Sequence, residues 1–145
     1  MGSFLLTIMV TAFLQRKYKT TNMDEVDLGK HFIDFLFFYG NQFNYEDLGI
    51  SIRKGGFLFP KHSRGWQGYD EKTRMRLCVE NPQDPSLDIG KSAYNIKKVQ
   101  RAFQHAYDML VLNNANSLSL LKLIITTNPE EIQPSLKEKE LEYKE

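Results

Sequence analysis

The side chains best suited to chemistry in this sequence are three histidines, one cysteine, an acidic trio and a basic stretch with aromatics. His31, His62 and His105 stand far apart, with no carboxylate or cysteine at ligand spacing. That reads as packing or surface imidazoles rather than a metal site. Cys78 sits in a strand-like run and reads as a structural thiol. Asp24, Glu25 and Asp27 fall at a helix start, where acids suit the helix dipole. The sequence has no P-loop, no G-x-S-x-G and no H-E-x-x-H. Gly55-Gly56 reads as a hairpin turn before it reads as a phosphate cradle. No catalytic and no metal-binding residue is therefore assigned.

One stretch invites a binding role. Between residues 51 and 77, Arg53, Lys54, Lys61, Arg64, Lys72, Arg74 and Arg76 outnumber Asp70 and Glu71, with Phe59, Trp66 and Tyr69 interleaved. Such a pattern can track a nucleic-acid backbone and stack bases; an ordinary solvated loop has the same composition. Arg53, Lys54, Arg64 and Trp66 are the candidates for RNA contact.

These residues need a scaffold. The chain has 145 residues, 41% hydrophobic, 26% charged and 12% aromatic, with a net charge of +1. That suits one domain with a core and excludes a polycationic tail protein. A single cysteine excludes an internal disulfide framework and points to a reducing compartment. Phe4 to Leu14 is apolar but too short for a transmembrane helix, and Gln15-Arg16-Lys17 follows it instead of a cleavage site. Residues 3–17 are expected to form a helix apolar nearly all round, fit for a core or a domain contact. A second helix is expected over 24–39, opened by a capping box of Asn22 and Glu25 and ended by Gly40-Asn41. Its face carries Leu28, Phe32, Phe35, Leu36 and Tyr39. Ile50 and Ile52, then Phe57 to Phe59, read as two strands around the Gly-Gly turn. Pro60 to Arg74 reads as a mobile polar loop, and Met75 to Val79 as a third strand. Asn81-Pro82-Gln83-Asp84-Pro85 forces an extended turn. Ser92 to Leu112 is the clearest helix, with a stripe of Ile96, Val99, Phe103, Ala106, Tyr107 and Leu110. A last helix is expected over about 117–126, before a charged, disordered tail over 129–145. The expected fold is α+β and mainly α, with a small embedded antiparallel sheet.

Four stretches, in order, resemble the central, PAP-associated domain of the non-canonical poly(A) RNA polymerases, nearest the nuclear TRAMP-type enzymes. Ser3-Phe4-Leu5-Leu6 through Phe13-Leu14-Gln15 resembles the family's Ser-Tyr helix. Asp27-Leu28-Gly29, Phe35-Leu36, Tyr39-Gly40 and Phe43-Asn44-Tyr45 resemble its N-L-G…F-F-x-x-Y-G…F-N-Y signature. Gly55-Gly56 falls where the family often has the same pair. Val79-Glu80-Asn81-Pro82, followed by Asp84 to Tyr94, resembles I-E-D-P…P-x-N-D-V-G-R-S-S-Y, its nucleotide recognition motif.

The resemblance implies a helical domain over residues 1–128 that grips a nucleotide while a separate domain adds AMP from ATP to an RNA 3′ end. Ser3 would bond a phosphate oxygen, Phe4 would stack on the base, and Asn81, Leu87 and Asp88 would lie along the base edge. The catalytic carboxylates are expected outside this chain, and Mg²⁺ or Mn²⁺ with them, so the chain alone is expected to be inactive. RNA, the nucleotide, a catalytic domain and an RNA-surveillance protein are the implied partners, with no membrane. A nuclear or cytoplasmic location is implied by the resemblance alone. Three departures stand out: Phe4 replaces Tyr, Asn81 replaces Asp, and Leu87 replaces a hydrogen-bonding residue. They leave room for a second function, a non-catalytic RNA- or protein-binding module of the same descent.

Overall fold

The computed structural model describes residues 1–19, 27–66 and 74–112. The first helix, α1 (Ser3–Tyr18), forms in a run with neither glycine nor proline. The hydroxyls of Thr7 and Thr11 donate to the carbonyls of Ser3 and Thr7, at 3.0 and 2.8 Å, so these polar groups are satisfied within the helix. Arg16 and Lys17 occupy its last turn, where cations suit the dipole. One face, with Leu5, Ile8, Met9, Ala12 and Phe13, is buried, while Phe4, Leu6 and Val10 stay exposed.

The expected capping box lies outside the described residues. Instead α2 (Leu28–Phe37) is opened by Asp27, whose carboxylate accepts the backbone N–H of Lys30 at 3.0 Å. Gly40-Asn41 does not stop the chain as expected. It runs on through a π-helical turn, Phe38–Gln42, closed by Phe43 N–H on the carbonyl of Phe38 at 2.7 Å. The reason is packing. Gly40 lies so close to the third helix that a Cβ there would come within 2.7 Å of the Gln104 nitrogen.

A hairpin follows, with β1 (Leu48–Ser51) antiparallel to β2 (Phe57–Pro60) in the register Ser51↔Phe57 and Leu48↔Pro60. Ile52, expected in the first strand, sits in the connecting loop. Lys54, Gly55 and Gly56 all take positive φ there, which two glycines make tolerable. The side chain of Gln15 donates to the carbonyl of Ile52 at 3.2 Å and that of Lys19 to the carbonyl of Gly56 at 2.8 Å, so α1 holds this loop.

Met75 to Val79 is not a third strand. Only Val79 bridges Ile50, in parallel, and Glu80 bridges Asp88. The chain spends its pairing groups on closing its own turn rather than on extending the sheet. Pro60 to Arg74 is also not simply a loop: Pro60 ends β2, and Lys61–Arg64 form a short 3-10 turn. Lys61 is buried, and its ammonium donates to the carbonyls of Tyr45, Arg74 and Arg76. Burial pulls its pKa below the usual lysine range. The best helix, α3 (Ile96–Leu112), starts four residues later than expected, after a 3-10 turn over Gly90–Ser92. Its expected stripe faces the core. The expected 117–126 helix and the 129–145 tail lie outside the described residues.

The core joins α1, α2, α3 and the hairpin through edge-to-face rings, among them Phe13 on Phe35 and Phe35 on Phe103. Tyr39 is buried, and its hydroxyl donates to the Met9 carbonyl at 2.9 Å. Burial raises its pKa far above the ordinary phenol value. Tyr39→Phe deletes that tie between α2 and α1. A loss of about 1 kcal/mol is expected in urea unfolding; an unchanged midpoint would show that the hydroxyl contributes nothing.

Candidate functional site

The densest convergence of polar groups is the turn from Val79 to Gly90. The carboxylate of Asp88 closes its base, one oxygen accepting the backbone N–H of Val79 at 3.0 Å and of Gly90 at 2.8 Å. Ile89 N–H reaches the carbonyl of Val79 at 2.9 Å, and Asn81 N–H reaches that of Leu87 at 3.0 Å. Inside the turn, Asp84 accepts from the Ser86 N–H and hydroxyl at 3.0 and 2.7 Å. The hydroxyl bond from Ser86 is the main reason its carboxyl titrates below the usual range. The Oδ1 of Asn81 accepts the N–H of Gln83 at 2.9 Å. Its NH2 group is thereby the end left to meet a ligand, a donor where a carboxylate would accept. Leu87, 51% exposed, is presented at the surface beside it.

This turn is tied to the hairpin by Glu80, whose side chain is 1% exposed. One carboxylate oxygen accepts from the Ser51 hydroxyl at 3.1 Å and faces the Arg53 guanidinium at 3.4 Å. The other pairs with Arg64. The Arg64 guanidinium also lies 4.3 Å from the centre of the Phe59 ring, which meets Trp66 edge to face at 5.6 Å. Two of the arginines expected at RNA are thus engaged by one buried acid, and Trp66 is engaged by Phe59. Lys54 remains exposed.

Ser3 and Phe4 open α1. Gly2 precedes them without a side-chain cap, and no acid lies in the first turn. The orphan N–H groups of this turn and the Ser3 hydroxyl face the same end of the helix. Phe4 is 62% exposed, unlike the buried Leu5 beside it.

The structure therefore brings Asn81, Leu87 and Asp88 into one turn, and Arg53 and Arg64 onto one carboxylate. Glu80, Ser51 and Gly90 are the residues that sequence reasoning gave no role. The signal for Glu80 was the basic surplus over 51–77, which needs a countercharge within reach. Among the described residues, no group of three or more His, Cys, Asp or Glu is placed to hold a metal ion, and no helix is long and apolar enough to cross a membrane.

A mainly helical unit with one small hairpin and a proline-bounded turn is the shape of a nucleotidyltransferase-family domain, and the comparisons with known proteins agree. Residues 27–87 match the model described as Cid1 family poly A polymerase. The chain is 39% identical over 113 residues to Poly(A) RNA polymerase CID14 of Cryptococcus neoformans, covering 76% of this chain and 14% of that relative. It is 32% identical over 109 residues to the Inactive non-canonical poly(A) RNA polymerase protein Trf4-2 of Drosophila melanogaster, covering 73% of this chain and 26% of that one. Its fold matches a chain in the polymerase core of TRAMP, a RNA surveillance complex, with TM-score 0.69 and 25% identity over 88% of this chain and 43% of that one. This chain belongs to the non-canonical poly(A) RNA polymerase family and carries its PAP-associated domain. It spans less than a third of the length of the two curated relatives named above.

Proposed function

We propose that this chain is the nucleotide-recognition domain of an RNA adenylyltransferase, one that grips ATP while AMP passes to an RNA 3′ end. The observation that carries the reading is the closed turn over residues 79–90, which presents the Asn81 amide and Leu87 from a rigid base. The NH2 of Asn81 suits an acceptor on the base edge, such as an adenine ring nitrogen. Leu87 adds apolar contact without a hydrogen bond. Phe4 offers a ring to the base, and Ser3 with the uncapped first turn of α1 suits phosphate oxygens. Asp88 acts differently from the expected base-edge contact: the oxygen bound to Val79 and Gly90 makes it the clamp of the turn. The described residues offer no seat for a metal ion. The Mg²⁺ or Mn²⁺ of nucleotidyl transfer belongs in this reading to a catalytic domain that works beside this one, and a nuclear or cytoplasmic RNA-surveillance assembly is its setting.

The test is a titration of the purified chain with ATP and UTP in the presence of Mg²⁺. ATP is expected to bind in preference to UTP. Phe4→Ala should weaken ATP by about 1–3 kcal/mol, the range for loss of one base–aromatic stack. Asn81→Leu should narrow the ATP–UTP difference. A folded chain that binds neither nucleotide at millimolar concentration would overturn the reading.

That outcome would favour a second one, a non-catalytic RNA- or protein-binding module. Its support is the likeness to a relative named inactive and the apolar Leu87 in the recognition turn. Lys54, exposed at the tip of the hairpin, would be its first RNA contact, with Arg53, Arg64 and Trp66 behind it.

A further inference from the structure

Between α1, α2 and α3 lies an apolar cavity of about 550 Å³, open along one side. Leu6 and Val10 of α1 and Leu28 and Phe32 of α2 line it while 37–78% exposed. Ala102 and Ala106 of α3 form its floor with Phe103 between them. A continuous apolar surface of this kind is seldom left to water.

Its polar exception is His31. The imidazole is 8% exposed, lies against the Tyr18 ring at 5.6 Å and lines the cavity, yet neither ring nitrogen has a hydrogen-bond partner. A buried imidazole with both nitrogens unpaired is a costly arrangement. Whatever fills the cavity must therefore be apolar along its length and bring one hydrogen-bonding group.

We infer that residues 117–126 of this chain fold back as a helix and fill the cavity between α1, α2 and α3. The sequence there is apolar at Leu118, Leu120, Leu121, Ile124 and Ile125, with Ser119, Lys122 and Thr126 on a single stripe at i, i+3 and i+7. The four residues 113–116 joining it to α3 (Asn-Asn-Ala-Asn) make a connection of the usual length between antiparallel helices. The lengths agree. From Leu112 back to Ala102, α3 spans about 15 Å at 1.5 Å per residue, and ten helical residues from Ser117 span about the same. The returning helix passes over Ala106 and Ala102, whose small side chains admit a close approach. Tethering by so short a connection holds the segment at an effective concentration of about millimolar or more, ahead of any untethered competitor. Thr127, seven residues beyond Leu120 on the apolar face, supplies the hydroxyl for His31. Phe35 meets Phe103, and His31 lies one turn before Phe35 on α2, toward the end of the cavity that the segment reaches last.

The test uses the full chain, whose one native cysteine, Cys78, is buried. Ala102→Cys with Ile125→Cys should form an intrachain crosslink in the monomer under mild oxidation, while Ala102→Cys with Lys122→Cys should not. Leu121→Glu with Ile124→Glu should raise binding of a hydrophobic dye several-fold, and Lys122→Glu should leave it unchanged. A crosslink only between chains would place a second copy in the cavity and overturn the inference. So would the absence of the Ala102–Ile125 crosslink in a chain whose circular dichroism matches the parent. Dye binding unaltered by the double glutamate change would overturn it as well.

Discussion

Glu80→Ala is expected to lower the melting temperature by on the order of 10 °C, from a loss of about 3 kcal/mol in a chain of this size. The carboxylate is sealed from water and satisfies Ser51, Arg53 and Arg64 together. Removing it leaves a hydroxyl without its acceptor and two guanidinium groups repelling each other across a small void. Arg53 and Arg64 keep 41% and 24% exposure, so water compensates part of the loss, and the estimate sits at the low end of the range for a broken buried pair. Asn81 follows Glu80 directly, so ATP affinity should fall with stability. Glu80→Gln, which keeps the shape and a hydrogen bond to Ser51 but drops the charge, should fall between. A melting temperature within a degree of the parent would mean that the hairpin and the turn are held by apolar packing alone.

Gly90→Ala should be as damaging for a steric reason. A Cβ at this position would stand 2.3 Å from the carbonyl oxygen of Leu77 and 2.9 Å from the nitrogen of Val79. Both are backbone atoms, so no side-chain rotation relieves the clash. The same residue donates its N–H to Asp88, so displacing it opens the clamp as well. A cost of about 3 kcal/mol is expected, at the upper end of ordinary overpacking. Gly65→Ala is the instructive comparison. Nothing lies within 4 Å of its Cβ position, but its φ of 60° lies in the left-handed region. It should cost only about 1 kcal/mol. Equal effects of the two changes in thermal unfolding would show that backbone conformation, not contact, decides both.

The helices were legible because their information is local. The stripe from Ile96 to Leu110 repeats at helical spacing, and the structure turns that stripe into the core. The hairpin was legible from Gly55-Gly56, since a five-residue loop with three positive φ values needs glycine. What escaped the sequence depends on partners distant along the chain. Met75 to Val79 has the composition of a strand, yet after Val79 the backbone pairs with its own turn, and no local pattern announces that competition. Leu28 and Phe32 share a helical face with Phe35, but α2 is longer than the surface opposite it, so two of the three face the cavity. The basic stretch misled in the same way: counting Arg53 and Arg64 as surface charge ignores an acid near residue 80 that the fold carries back to them. Lys61, in the middle of that stretch, is consumed by three carbonyls.

The Glu80 cluster also changes how this face would meet a polyanion. Binding of nucleic acid by a basic surface draws its strength from counterions set free as each cation meets a phosphate. Arg53 and Arg64 already have an internal carboxylate in that place, so they carry few condensed ions to release. The mixing entropy this domain can contribute to holding RNA is that of a far less basic surface than its residue count between 51 and 77 suggests, and ionic strength would act on it only gently.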